Sequence, residues 1–324
     1  MKKIVVAPDS FKGSLTSAEV ADAVERGIKD VFPQCNVVKA GVADGGEGTV
    51  EAIVKAVGGA MYAASVTDPL GRPVKATYGI VRSGGVKTAV MEMSAASGLP
   101  LLLPDELNPW ITSTYGTGEM ISDALNRGCR KFLVGIGGSA TNDAGTGMLS
   151  ALGVRFLDSS GQRLKGCGRD LESIARIDMS SLIPAARESE FIVACDVNTP
   201  FCGPDGAARV FAPQKGANPQ TAEALDRGMR SFARVIAGQF QTDIVPLSGA
   251  GAAGGLGGAF KAFLNARLTA GIEIIIRKTK CSPLFKRSDI SYKTKRPPKN
   301  NFPKYSRGSK KSTGKFCFSQ CFFL

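Results

Sequence analysis

Gly135-Ile136-Gly137-Gly138-Ser139-Ala140-Thr141-Asn142-Asp143-Ala144-Gly145-Thr146-Gly147 is the stretch that decides the fold. The apolar run Lys131 to Ile136 leads into it. A helix-like run, Met148 to Leu152, leads out, and Gly153 stands where a helix C′ glycine belongs. Strand, glycine turn and helix start form the corner of an α/β sheet. Such a corner aims backbone N–H groups and a helix N-terminus at an anion. Ser139, Thr141 and Asn142 add neutral donors, and Asp143 adds a carboxylate able to hold Mg²⁺ or take a proton. The stretch reads either as a phosphate-handling loop or as a tight βα turn with capping residues.

Two further corners precede it. Lys2 to Ala7 is a short apolar strand, followed by the turn Pro8-Asp9-Ser10-Phe11-Lys12-Gly13-Ser14. Thr16-x-x-Glu19 forms a capping box, and Val20, Ala23, Val24, Ile28 and Val31 make the apolar stripe of a helix. A second strand, Val37 to Val42, enters Ala43-Asp44-Gly45-Gly46-Glu47-Gly48-Thr49, and a helix runs from Val50 to Val57. Ligands of open α/β sheets bind beyond the carboxyl ends of strands. Asp9, Lys12, Asp44 and Glu47 are therefore site candidates. Asp44 and Glu47 have a plainer reading as favourable charges at a helix N-terminus.

From Met61 the pattern changes to alternating strands at Ala64–Val66, Lys75–Val81 and Lys87–Glu92, the start of a mixed domain. A helix from Thr117 ends at Gly128. Beyond the central loop come the strands Val154–Leu157 and Phe191–Val197, the latter with Asp196 near its end. Phe211-Ala212-Pro213-Gln214-Lys215-Gly216-Ala217 follows, where Lys215 either faces a phosphate or is a solvated surface lysine. A helix is expected from about Thr221 to Ala237, and another from Ala259 to Leu268. Gly249-Ala250-Gly251-Ala252-Ala253-Gly254 matches G-x-G-x-x-G, with Glu273 at the spacing of a ribose-binding acid. NAD binding is one reading of it. The extra glycines at 255, 257 and 258 favour a second anion-binding or close-packing turn.

Composition excludes several classes. The 324 residues suffice for two domains, and 43% hydrophobic residues can build their cores. There are no histidines, so a Ser-His-Asp triad, a His base and every His metal site are out. The eight cysteines show no CxxC pair. No apolar run approaches the ~20 residues of a membrane span, and MKKIVVAPDS reads as a strand, not a signal peptide. A cytoplasmic location is the default expectation. The net charge of +13 is uneven: Arg277 to Leu324 holds fourteen Lys/Arg and one acid, Asp289, leaving 27 basic and 27 acidic residues in 1–276.

Six motifs in order resemble the bacterial-type glycerate kinase family. They are Ala7–Gly13, Ala43–Thr49, Ile136–Asp143, Ala194-Cys195-Asp196-Val197, Phe211–Ala217 and Gly249–Gly255. The resemblance implies an α/β fold of two domains. One is flavodoxin-like (Rossmann-like) and built from both chain ends, with residues 1–62 as its first part and 266–276 as the return strand. The other is a mixed α/β domain inserted at 63–265. It also implies phosphorylation of a hydroxyl of D-glycerate by ATP with Mg²⁺, without a Walker loop. On residue type, Gly137, Gly138, Ser139, Thr141 and Asn142 would cradle ATP phosphates, aided by Gly251 and Gly254. Lys12 or Lys215 would neutralise the transferred group, and Asp44 or Asp196 would orient Mg²⁺ or accept the hydroxyl proton. Asp9 and Asp143 complete the catalytic candidates, with Asp196 the metal candidate.

After Ile276 the family's Gly-Glu-Gly-Arg-x-Asp turn and His-Gly-Lys motif are missing. Residues 277–324 read as an aberrant basic tail, expected to be disordered and to derive from a frameshift that leaves the enzyme inactive. The alternative is a basic arm for nucleic acid, with Phe302, Tyr305 and Phe316 stacking on bases, although nucleic acid is not the expected partner.

Overall fold

The computed structural model describes residues 3–6, 8, 15, 17–39, 48–83 and 85–270. Asp9, Lys12, Asp44, Glu47, Glu273 and the tail lie outside these residues. The described chain falls into two compact units, 3–39 and 48–270.

The first unit is a βαβ element. Strands β1 (Lys3–Val6) and β2 (Asn36–Lys39) pair in parallel, and α1 (Ser17–Val31) crosses between them. Val6, Ala21, Ile28 and Cys35 form its core. The buried stripe is narrower than the apolar pattern promised. Val20 is buried, but Ala23 is exposed and Val31 is 69% exposed, because Ala21 and Ile28 define the face turned to the strands.

The second unit opens with α2 (Thr49–Val57), β3 (Ala60–Thr67), β4 (Pro73–Ser83), β5 (Val86–Glu92) and the short α3 (Ser94–Ser97). Next come α4 (Tyr115–Asn126), β6 (Lys131–Gly135), α5 (Thr146–Ala151) and the antiparallel pair β7 (Arg155–Leu157) and β8 (Arg176–Asp178). The chain continues through α6 (Pro184–Arg187), β9 (Glu190–Ala194), α7 (Ala207–Phe211), α8 (Pro219–Phe240), α9 (Ala252–Leu264) and β10 (Arg267–Thr269).

Six strands make one sheet in the order β10-β9-β6-β5-β4-β3. The half from β10 to β5 is parallel, and β5-β4-β3 is an antiparallel meander. One face packs α4, α5, α8 and α9 around Phe132, Phe191, Phe232 and Phe260. The opposite face buries Val50, Ile53 and Val54 of α2 against Val81, Val90 and Leu133.

Two expected boundaries differ here. Helix α2 was expected in the first domain, whose end was set at residue 62. Its apolar face instead covers the six-stranded sheet, where Gly79 leaves room for Val54. Residues 266–276 were expected to return to the first domain. Arg267, Leu268 and Thr269 pair instead with Ile192, Val193 and Ala194 of β9, so that β10 ends the same sheet. The helix expected to reach Leu268 stops at Leu264, where Asn265 takes a left-handed conformation. Residues 271–276 lie outside the described chain.

Candidate active site

The parallel strands set the site. Glu92 at the end of β5 is in register with Gly135 at the end of β6, which is in register with Ala194 at the end of β9. Three carboxyl ends thus lie side by side, with the glycine loop rising from the middle one. Met93 donates its amide to Gly135 O at 2.8 Å, joining the start of α3 to the foot of the loop. Leu99 N donates to Gly138 O and Ala140 N to Ser97 O, pinning the loop to the segment after β5. Glu92 also accepts the amide of Val50 at 3.1 Å. The described end of the Ala43–Thr49 motif is thereby held at the same edge.

Asp143 is fully buried and is the centre of the loop. Its Oδ2 accepts Thr114 N at 2.7 Å, Thr114 Oγ1 at 2.8 Å and Gly147 N at 3.2 Å, while Oδ1 accepts Gly145 N at 3.1 Å. Burial pushes its pKa up, and these donated bonds pull it back. Thr146 N and Thr146 Oγ1 both reach Asp143 O, and Met148 N donates to Thr114 Oγ1. The first amides of α5 are therefore taken up by Asp143 and Thr114. A helix N-terminus open to an anion was expected here; the chain caps it internally instead.

What stays open is the earlier part of the loop. Gly137 and Gly138 are exposed, and their amides donate to no described residue. Ser139 next to them is buried and accepts a hydrogen bond from Lys215 Nζ at 2.7 Å. The same ammonium donates to Thr141 O at 2.6 Å. Lys215 is 1% exposed, so the solvated-lysine reading does not hold. It sits in a 3₁₀ turn, Pro213–Lys215, that follows α7 and ends at Gly216. Burial lowers its pKa to about 7, against the attraction of the Asp143 charge. Among the described residues buried Thr141 Oγ1 and Asn142 Oδ1 have no partner, and Asn142 Nδ2 reaches only Met229 Sδ.

The second glycine turn supports this loop from behind. Gly254 has φ +68°, and a Cβ there would lie 2.2 Å from Thr141 O. A Cβ on Gly251 would lie 2.1 Å from Pro200 O. Ala144 N donates to Gly254 O at 2.9 Å. The space before both glycines is filled by backbone, so they serve close packing and leave no room there for a dinucleotide. Asp196 is exposed two residues past β9, at the same sheet end. Among the described residues no three acidic, Cys or His side chains gather as a metal-binding group.

The structure thus brings together Gly137, Gly138, Ser139, Thr141, Asn142, Asp143 and Lys215, with Gly254 beneath them. Thr114 was missed from the sequence. Its only signal was the hydroxyl run Thr112-Ser113-Thr114 before α4, which has no spacing rule of its own.

Glycine loop, buried lysine and adjoining strand ends lie together at one edge of an α/β sheet. Residues 4–291 match the profile of the Glycerate kinase family, and the chain belongs to that family. It is 48% identical over 273 residues to a glycerate 2-kinase of Escherichia coli, covering 84% of this chain and 71% of that one. It is 46% identical over 288 residues to a glycerate kinase of Haemophilus influenzae, covering 89% and 76%. The crystal structure of a putative glycerate kinase 2 from Salmonella typhimurium superposes with a TM-score of 0.79 at 45% identity, covering 89% of this chain and 76% of that chain. The chain is accordingly a kinase by family. Among its described residues no helix is long and apolar enough to cross a membrane.

Proposed function

We propose that the protein transfers the terminal phosphoryl group of ATP to a hydroxyl of D-glycerate, giving phosphoglycerate and ADP. The observation that carries this is Lys215: a buried cation held by Ser139 and Thr141 beside the exposed Gly137–Gly138 amides. Those exposed amides fit the oxygens of a phosphate chain. ATP supplies the activated phosphoryl group; the protein positions it and neutralises charge. Lys215, when protonated, offsets the charge on the transferred group. Asp143 and Thr114 hold the loop in shape and take no part in the transfer. Asp44 or Asp196 orients Mg²⁺ or accepts the hydroxyl proton. A cytoplasmic setting suits this chemistry.

For the basic tail, we propose that the sequence after about Ile276 comes from a frameshift, although the family match runs on to residue 291. Glycerate-dependent release of ADP from Mg-ATP by the purified chain tests the activity. Turnover supports the proposal for this chain. No turnover from folded protein, followed by turnover once the frame is restored, assigns the function to the family sequence and the defect to the tail. No turnover from either rejects it.

A further inference from the structure

At the other end of the sheet lies a pocket of about 490 Å³ that plays no part in the site above. It is lined by Gly58, Gly59, Tyr62, Arg82, Lys87 and Arg127. Lys87 stands near the start of β5, five residues before Glu92. At about 3.3 Å per strand residue, that places it on the order of 16 Å from the catalytic edge.

The cations are of different kinds. Arg127 is fixed: its guanidinium lies 5.0 Å from the centre of the Tyr62 ring, and its Nε and Nη2 hold Asp123 at 2.8 and 3.4 Å. Asp123 is held in turn by the Tyr78 hydroxyl. This leaves Nη1 of Arg127 without a described acceptor. Lys87 Nζ spends one of its three hydrogens on Arg127 O at 2.6 Å. Arg82, exposed at the end of β4, has no described acidic partner. Three cations thus line one pocket, and of these only Arg127 is paired with a described acid, Asp123. Each retains donors, and one is set in place by a ring and a carboxylate. Arg72, by contrast, is taken up between Asp68 and Glu106.

We propose that this pocket is a second anion site, remote from catalysis, that binds a small multiply charged anion bearing a phosphoryl group. N–H donors from three cations lining one pocket match the oxygens of a tetrahedral anion. Free phosphate, a nucleoside diphosphate and a phosphorylated hydroxy acid all carry the chemistry.

The test is calorimetric titration of the full chain with inorganic pyrophosphate at low salt, comparing wild type, Arg82→Ala/Lys87→Ala and Lys215→Met. A binding event that survives in Lys215→Met and weakens at least tenfold in the double variant is expected. Arg82→Gln/Lys87→Gln, which keeps side-chain bulk, should weaken it similarly with unchanged melting temperature. Equal affinity in wild type and the double variants overturns the proposal, as does loss of all binding in Lys215→Met or no binding by wild type at millimolar pyrophosphate. Repeating the titration with phosphate, ADP and a phosphoglycerate separates the sources by their relative affinities.

Discussion

Thr114 closes on Asp143 twice, through its amide at 2.7 Å and its hydroxyl at 2.8 Å, and both bonds fall on the same oxygen, Oδ2. The hydroxyl then accepts Met148 N at 2.9 Å. One side chain from the start of α4 therefore locks the loop to the first turn of α5.

This arrangement makes Asp143 a stability residue first. Asp143→Ala leaves four buried donors without an acceptor, and a loss of about 3 kcal/mol or more is expected in urea unfolding. Thr114→Val keeps the shape and the amide bond but removes the hydroxyl, costing about 1–3 kcal/mol. Thr114→Ser should restore most of it. Equal stability of Thr114→Val and wild type would remove Thr114 from the loop's support.

Lys215 gives a pH signature. Its folded pKa is about 7, below the 10.5 of an ordinary lysine, so the unfolded chain binds more protons between those values. Stability therefore rises with pH across that window, and Lys215→Met should lack this component. The neutral amine still has two hydrogens for Ser139 and Thr141, so its contacts persist. Activity should move the other way: if the protonated form works, kcat falls as pH rises through about 7. Lys215→Met should lower kcat by about 10²–10³, the usual cost of one donor aimed at developing charge.

Gly254→Ala tests the second turn. A methyl group there would meet Thr141 O at 2.2 Å in a backbone region that alanine disfavours. A loss of about 2 kcal/mol or more is expected by thermal denaturation, with weakened nucleotide binding. Gly238→Ala, where nothing lies within 4 Å and the backbone is helical, should be neutral or slightly stabilising.

Asp44→Ala and Asp196→Ala address the two alternative carboxylates proposed for Mg²⁺ or the hydroxyl proton. Each should cut glycerate-dependent turnover at least a hundredfold with little change in melting temperature. An untouched kcat in either variant withdraws that residue's role.

Reading the nucleotide sequence in the neighbouring frame beyond codon 276 checks the tail. Recovery of a Gly-Glu-Gly-Arg-like stretch is expected, and its absence in both other frames would rule out the frameshift.

The central loop and its flanking strand were legible because an apolar run followed by glycines has few other solutions. The parallel strand β9 was legible for the same reason, as Phe191-Ile192-Val193-Ala194 is apolar on both faces. Other features were not local. Lys215 looks like a surface residue in its own segment; its burial comes from Ser139 and Thr141, far away in sequence. The match of 249–254 to a dinucleotide pattern was ambiguous for a similar reason. Only the approach of Thr141 and Pro200 shows what those glycines make room for. Strand β10 has three residues and no alternation to read, and it exists because β9 offers an edge.

The bond from Ala144 to Gly254 has a consequence for how the protein is made. A ribosome delivers the glycine loop long before it delivers α9, and until then the backbone of residues 141–145 lacks the surface that shapes it. The loop edge of the sheet is thus among the last regions to consolidate, since contacts between distant segments form slowly. A growing chain would carry Asp143, and later Lys215, as unfinished, hydrated groups until Gly254 is added. Termination between residues 147 and 254 would release a chain that has every loop residue but lacks the Gly254 carbonyl that receives Ala144 N.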